Sequence, residues 1–274
     1  MAQDEIPPGV DPSQPSPARV YDYLLGGTHN FEADRAAGEL MKSMAPELID
    51  SASANRGFHQ RAAKWLAEHG IRQFIDIGSG LPTVGNTHEV VARVRPDTRT
   101  VYVDYDPMVL HYGSYLLSGN ENAAVILADM RDPDSVLGNE TLRAMIDFSE
   151  PAAIMMTAVL HFVSDEDDPA GLIARYTEPL VAGSYLSLSH TTADHKPPKA
   201  VAAIYEAGRR SAGGTYLRSR AEVTALLNGL EIVSPYEGAP PEVTWVGLWG
   251  CEDVEAADSE GSRWLYCAVA RKAA

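Results

Sequence analysis

The sequence predicts an α/β fold: a mostly parallel sheet with helices on both faces, closed by an antiparallel C-terminal pair and preceded by a helical element. Three observations carry this. From residue 72 onward, short apolar runs alternate with helical patterns, as in successive βαβ units. Those runs are apolar throughout rather than every second residue, as expected when helices cover both sheet faces. Before residue 70 the apolar residues recur at helical spacing, with no strand pattern. With 274 residues, 45% of them hydrophobic, the chain can form one large α/β domain with an added element.

Residues 1–15 contain four prolines and few large apolar side chains, and read as a disordered leader. A helix follows at SPARVYDYLL: Ser16 can cap it, Pro17 suits the first helical position, and Gly26-Gly27 stops it. Two more helices are expected near 32–49 and 52–69, the second with Phe58, Ala62, Trp65 and Leu66 on one face and Gly70 at its end. Residues 16–70 therefore form a helical element, and 71–274 the main domain. There the strands are expected at Arg72–Ile77, Thr100–Asp104, Ala123–Ala128, Ala152–Met156 and Gly183–Ser189, separated by helices near 86–95, 107–117, 134–147 and 167–178. Helical pattern returns at 197–211 and 220–228, the latter opening with the capping box Ser219-x-x-Glu222. Two closing strands near 230–234 and 263–270 flank a Gly/Pro-rich acidic stretch with no good helix, so they form an antiparallel pair at the sheet edge.

A formal net charge of −16, with no Lys/Arg run, repels phosphate backbones and anionic membranes, which argues against nucleic-acid and membrane partners. The longest near-apolar run, Ala152 to Val163, is too short to span a bilayer, and the N-terminus lacks the basic and apolar regions of a signal peptide. Two cysteines, Cys251 and Cys267, make neither a disulfide framework nor a zinc spacing, so a reduced cytoplasmic setting is expected. The run Asp165-Glu166-Asp167-Asp168 reads as helix-start charge and solvated surface, and with no second ligand cluster no metal is expected.

Three features fall at the ends of successive strands, where open α/β sheets bind ligands. The first strand runs into Asp76-Ile-Gly78-Ser79-Gly80, a turn whose glycines let backbone approach a ligand. The second ends in Asp104-Tyr105-Asp106. A carboxylate at Asp104, about 20 residues past the turn, can accept from both ribose hydroxyls of a nucleoside, while Asp106 could instead cap the next helix. The third ends in Asp129-Met130, where the acid can accept from an adenine amine and Met130 can lie against the ring, or the two can be a helix cap and a core methionine. A nicotinamide-dinucleotide fingerprint would want a third glycine, and Pro82 stands near that place.

These residues resemble the class I S-adenosylmethionine-dependent methyltransferases, in which a first-strand acidic-x-Gly-x-Gly motif, a second-strand ribose acid and a third-strand adenine-contacting Asp hold the donor on a Rossmann-like sheet. The resemblance covers residues 72–270. It implies S-adenosylmethionine as cofactor, S-adenosylhomocysteine as product, and Asp76, Gly78, Ser79, Gly80, Asp104, Tyr105, Asp106, Asp129 and Met130 as its binding residues. The departure at Pro82 leaves open how the loop wraps the methionine part. A narrower resemblance, to a bacterial S-adenosyl methyltransferase family of largely unassigned substrate, rests on Tyr21-Asp-Tyr23-Leu-Leu-Gly26-Gly27-x-x-Asn30-Phe31-x-x-Asp34-Arg35, on Asn55-Arg56-x-Phe58 and on Leu-His161-Phe. In such enzymes the N-terminal helices lid the pocket, so Tyr21, Gly26, Asn30 and Phe31 are candidate cofactor contacts, although Tyr-x-Tyr before Gly-Gly also suits a packed helix end.

Methyl transfer is an in-line displacement in which the enzyme chiefly aligns the nucleophile, and a base is needed only for a protonated one. His161, after the fourth strand, is the candidate base, or else a loop residue satisfying backbone groups. His190 and His29 are weaker candidates. Segment 190–218 and the aromatics Tyr112, Tyr115, Tyr205, Tyr216, Trp245 and Trp249 could help wall a pocket for a small-molecule acceptor.

Overall fold

A computed structural model of the chain describes residues 6–44, 46–82, 85–211 and 214–273. Three helices come first: α1 (Pro17–Leu24), α2 (Glu32–Met44) and α3 (Leu48–Glu68). Pro46 lies in the break between α2 and α3, where a proline's missing N–H cannot continue helical hydrogen bonding. Ser16 makes no capping bond to α1; its N–H donates to Asp34 and its hydroxyl to Asp106. Of the expected leader, residues 6–15 are mostly exposed and touch the fold at two points: Val10 joins Leu81, Met108 and Val109 in a small apolar cluster, and Arg19 donates to the carbonyls of Asp11 and Gln14. Residues 1–5 lie outside the described residues.

The main domain then alternates. In chain order come β1 (Gln73–Ile77), α4 (Thr87–Val94), β2 (Arg99–Asp104), α5 (Pro107–Leu116), β3 (Ala123–Leu127), α6 (Pro133–Leu137), α7 (Glu140–Met145), β4 (Ala153–Thr157), α8 (Pro169–Thr177), β5 (Tyr185–Thr191), α9 (Pro198–Ser211), α10 (Arg220–Ala225), β6 (Glu231–Ile232), β7 (Thr244–Trp245), α11 (Val254–Ala257) and β8 (Leu265–Arg271). The single helix expected over 134–147 is split at Gly138-Asn139, where the Asn139 side chain accepts from the N–H groups of Thr141 and Leu142 and starts α7. The Ser219–Glu222 capping box forms as expected. Strand β7 and helix α11, of two and four residues, are too short to leave a periodic trace in the Gly/Pro-rich stretch.

The sheet order is β3-β2-β1-β4-β5-β8-β6, with β7 also pairing β8. The first five strands are parallel, and β8 runs antiparallel to β5, β6 and β7. The expected C-terminal antiparallel pair is therefore present at that edge of the sheet, with β8 between β5 and the outermost β6. Alternate residues of the central strands feed two cores. Ile75, Ile77, Ile154 and Met156 pack on one face, and Phe74, Ala153 and Met155 pack on the other against Phe58, Ala62 and Leu66 of α3. Among the described residues, no helix is long and apolar enough to cross a membrane.

Candidate functional site

The C-terminal ends of β1, β2, β3 and β4 open into a cavity of about 240 Å³, roofed by α1, α3 and α9. The chain leaves β1 through Gly78 at φ +67°, and the N–H groups of Gly78 and Ser79 both donate to the Val103 carbonyl, at 2.8 and 3.2 Å. A Cβ on Gly78 would stand 2.2 Å from Val159 Cγ2. Gly78→Ala is therefore expected to lower stability by ~1–3 kcal/mol, through backbone strain and this clash. A melting temperature equal to the parent's would contradict that.

Asp104 ends β2 and is buried. Its carboxylate accepts from the N–H groups of Gly80 (2.9 Å) and Asp106 (3.0 Å), which ties the Gly turn to the second strand. Burial pushes its pKa up to about 6, against the pull of those N–H groups. Each oxygen accepts only one of these bonds, so capacity remains toward the cavity it lines. Tyr105 stands half-exposed on the same wall. Asp106 takes the capping alternative: its carboxylate accepts from Met108 N–H at 2.8 Å at the start of α5, and also from the Ser16 hydroxyl. Although it lines the cavity, its oxygens hold α5 and α1 together.

Asp129 and Met130 also line the cavity. Asp132, not Asp129, caps α6, accepting from Ser135 N–H. The Asp129 carboxylate is gripped by the Arg131 guanidinium through Nε and Nη2, and this holds its pKa below the usual carboxylate value. An adenine amine would have to share those oxygens with Arg131, a partner that sequence reasoning missed. Met130 packs its side chain into the core, and its carbonyl accepts from the Tyr176 hydroxyl at 2.8 Å.

Asp76 is not on the cavity wall. It lines the small recess beside it with Arg56, Ser79 and Gly80, accepting from Thr87 Oγ1 at 2.6 Å, and burial pushes its pKa up to about 6. Thr87 Oγ1 is 2.7 Å from His59 Nε2, and His59 Nδ1 is 2.9 Å from Thr157 Oγ1. With the Thr87 proton committed to Asp76, His59 carries its proton on Nε2 and accepts from Thr157. Burial, aided by the charge of Arg56, pulls the His59 pKa down to about 3, so the ring is neutral. It is His59 that reaches the cavity.

The N-terminal signature divides in the same way. Tyr21 lines the cavity, with its hydroxyl donating to the Ala52 carbonyl and accepting from Asn55 Nδ2, both at 3.0 Å. Asn55 Oδ1 in turn accepts from Ser189 Oγ at the end of β5. Gly26, Asn30 and Phe31 do not line the cavity. Asp22 gathers the turn, accepting from His29 N–H (2.9 Å) and Asn30 Nδ2 (2.8 Å), and a Cβ at Gly27 would collide with its carboxylate. Phe31 sits beneath the Arg19 guanidinium, 5.3 Å from ring centre to carbon. Most of the motif thus builds the α1–α2 turn.

His161 lies in a short 3-10 turn, Leu160–Phe162, after β4, and is buried on the cavity wall. Its Nδ1 is 3.3 Å from Thr191 Oγ1, and Nε2 makes no hydrogen bond to a described residue. Burial, then the neighbouring His190 and Arg218, holds its pKa well below the usual value. The loop before it carries Ala158 at φ +54°, a conformation disfavoured for alanine and set at the site. His190 does not reach the cavity. Its Nδ1 donates to the Thr191 carbonyl and its Nε2 accepts from the buried Arg218 at 2.8 Å, so it is a structural strut. His29 leans on Tyr112 outside the cavity, ring centres 4.2 Å apart.

None of the six aromatics considered as acceptor walls lines the cavity. Trp249 is core, Trp245 stacks on Tyr266, and Tyr115 is exposed. The chamber beyond the strand ends is aliphatic instead: Leu24, Met41, Leu48 and Ala52 from the N-terminal helices, with Ile204 and Ala207 from α9. Segment 190–218 does supply part of it, as expected. Pro82 is described, but Thr83 and Val84, where the loop was expected to wrap the methionine part, lie outside the described residues. Among the described residues, no group of three or more His, Cys, Asp or Glu is arranged to hold a metal.

The S-adenosyl methyltransferase family profile matches residues 3–273. A solved structure from Thermobifida fusca, described as a candidate methyltransferase, is 41% identical, with a TM-score of 0.89 over 97% of this chain and 98% of that one. A DUF574 family protein from Streptomyces avermitilis is 40% identical, with a TM-score of 0.88 over 96% and 99%. An O-methyltransferase family protein from Burkholderia thailandensis shares the fold at 12% identity and a TM-score of 0.50, over 86% of this chain and 62% of that one. No curated protein matches the chain. The chain belongs to the S-adenosyl methyltransferase family, and is a methyltransferase whose methyl donor is S-adenosylmethionine.

Proposed function

We propose that this enzyme methylates a small, largely apolar and uncharged acceptor, held in the aliphatic chamber between the N-terminal helices and α9. The observation that carries the reading is a single cavity joining a ribose acceptor, Asp104, to walls of Leu24, Met41, Leu48 and Ile204. Ligand pockets of this kind are mostly apolar with a few convergent polar groups. S-adenosylmethionine supplies an electrophilic methyl on a sulfonium. Its nucleoside lies along Gly78, Ser79, Gly80 and Tyr105, with the ribose on Asp104 and the adenine between Asp129 and Met130. Residues 16–70 act as the lid over residues 71–274, with Tyr21 on the lid's inner face. The overall negative charge disfavours a nucleic-acid acceptor, and two free cysteines suit a reduced, cytoplasmic setting.

His161 is the base or orienting acceptor for the nucleophile. Its low pKa keeps the ring neutral, with Nε2 free to take a hydrogen bond, across the neutral range. A proton taken by His161 restores to the cavity the positive charge lost when the methyl leaves sulfur, which offsets the cost of a buried imidazolium.

The test is release of S-adenosylhomocysteine from the donor in the presence of a panel of neutral apolar phenols, amines and carbon acids. Release with one of them, reduced ~100-fold or more by His161→Gln at unchanged donor affinity, is the expected result. Full activity in that variant would remove His161 from the chemistry. Turnover confined to charged, polar acceptors would overturn the acceptor class.

A further inference from the structure

Arg56 is the one described guanidinium on the cavity wall that lacks both a carboxylate and a full set of hydrogen bonds. Its Nη2 donates to Asn86 Oδ1 at 3.1 Å, while its Nε is buried with no partner. No Asp or Glu among the described residues forms an ion pair with it; its charge acts on the buried Asp76, which lines the same small recess without reaching it. Arg56 is partly buried, and three other guanidiniums withdrawn from solvent are matched. Arg19 has Asp34, Arg218 has Asp165, and Arg61 donates to the carbonyls of Val246, Gly247 and Trp249. A partly desolvated cation with an unused buried donor is stabilised when a counter-ion arrives. Arg56 sits where that counter-ion could come from the cavity, because it lines both the main cavity and the small recess continuous with Ser79 and Gly80.

We propose that Arg56 binds the α-carboxylate of the methionine moiety of S-adenosylmethionine, with α3 serving as the helix that closes the amino-acid end of the donor site. This rests on the nucleoside lying at Asp104. From there the thioether chain has to run past Gly78–Gly80, toward the end of the cavity at which Arg56 stands. A guanidinium offers the carboxylate a planar pair of N–H donors, a geometry lysine cannot reproduce. Specificity follows: Arg56 distinguishes ligands that carry the amino-acid tail from bare thioadenosines.

Calorimetric titration of the full chain with S-adenosylhomocysteine and with 5′-methylthioadenosine, which lacks the amino-acid tail, tests this directly. Arg56→Gln is expected to weaken S-adenosylhomocysteine at least tenfold while leaving 5′-methylthioadenosine within twofold of the parent. Arg56→Lys should recover part of the loss. Asp104→Ala should weaken both ligands alike. Unchanged S-adenosylhomocysteine affinity in Arg56→Gln, or an equal loss for both ligands, would overturn the proposal. A parent protein that binds neither ligand would instead remove the nucleoside site at Asp104, and the role of Arg56 with it.

Discussion

Asp104→Ala is expected to weaken S-adenosylhomocysteine binding at least ~100-fold, because two hydrogen bonds from ribose hydroxyls to a buried carboxylate are each worth about 1.5–3 kcal/mol. The same carboxylate ties Gly80 N–H and Asp106 N–H, so the variant's melting temperature has to be measured alongside. Asp104→Asn, which keeps an acceptor oxygen, should fall between the two. The effect has a pH signature. The Asp104 pKa is raised from its ordinary 3.8 to about 6, so in the free protein the carboxyl protonates as the pH falls through about 6. Ribose binding draws on the ionised form, and affinity should therefore fall by up to tenfold per unit below that point, by linkage. The folded chain itself moves the other way. A carboxyl whose pKa is raised on folding contributes increasing stability as the pH drops from about 6 toward 3.8, and Asp76 has the same sign. Acid should thus release the ligand before it loosens these two sites. Affinity unchanged between pH 7 and pH 5, or an Asp104→Ala variant binding as the parent does, would remove Asp104 from the ribose.

Arg19→Met is expected to cost about 3–5 kcal/mol of stability, the usual penalty for stripping one partner from a buried ion pair. Arg19 and Asp34 meet at 3.0 Å with side chains 5% and 0% exposed. Arg19 also stands 3.7 Å from Asp106 and donates to the Asp11 and Gln14 carbonyls. Its loss leaves the Asp34 carboxylate buried without its cation, and frees the segment before α1 from the main domain. A fall in melting temperature of roughly 10 °C is expected. Because Tyr21 and Leu24 wall the cavity from α1, S-adenosylhomocysteine affinity should drop as well. The double variant Arg19→Met/Asp34→Leu should recover part of the stability, since an apolar pair removes the stranded charge. A single variant as stable as the parent would show that the pair is solvated.

The strands were legible because their physics is local. Phe74, Ile75, Ile154 and Met155 are apolar in sequence since both sheet faces are covered. The strand-end placement of Gly78, Gly80, Asp104 and Met130 followed from that topology. What escaped were choices made by individual side-chain partners, some near and some distant in sequence. Asp106 could be ligand contact or cap, and its two oxygens are taken by the Met108 N–H and by the hydroxyl of Ser16, ninety positions earlier. Asp129 could face adenine alone, until Arg131 folds back onto it. Gly26 and Asn30 belong to a motif that resembles a cofactor lid, yet Asp22 uses that turn for itself. The roof residues Asn55, Arg56 and His59 sit on a long helix whose spacing says which face is covered but not by what. Three polar side chains on the face of α3 that also carries Ala52 were the available signal.

The wedged position of β8 also bears on how the chain reaches this arrangement. All seven residues of β5, Tyr185–Thr191, pair with β8, Leu265–Arg271. On the ribosome that partner is made roughly 80 residues later, several seconds at ordinary translation rates. Through that interval β5 is the raw margin of a sheet whose four other parallel strands are already made, a template for pairing with any passing strand. Completion is thus a late, non-local event of the kind that slows folding. The newborn protein is most vulnerable to clumping just before its last strand slots into place.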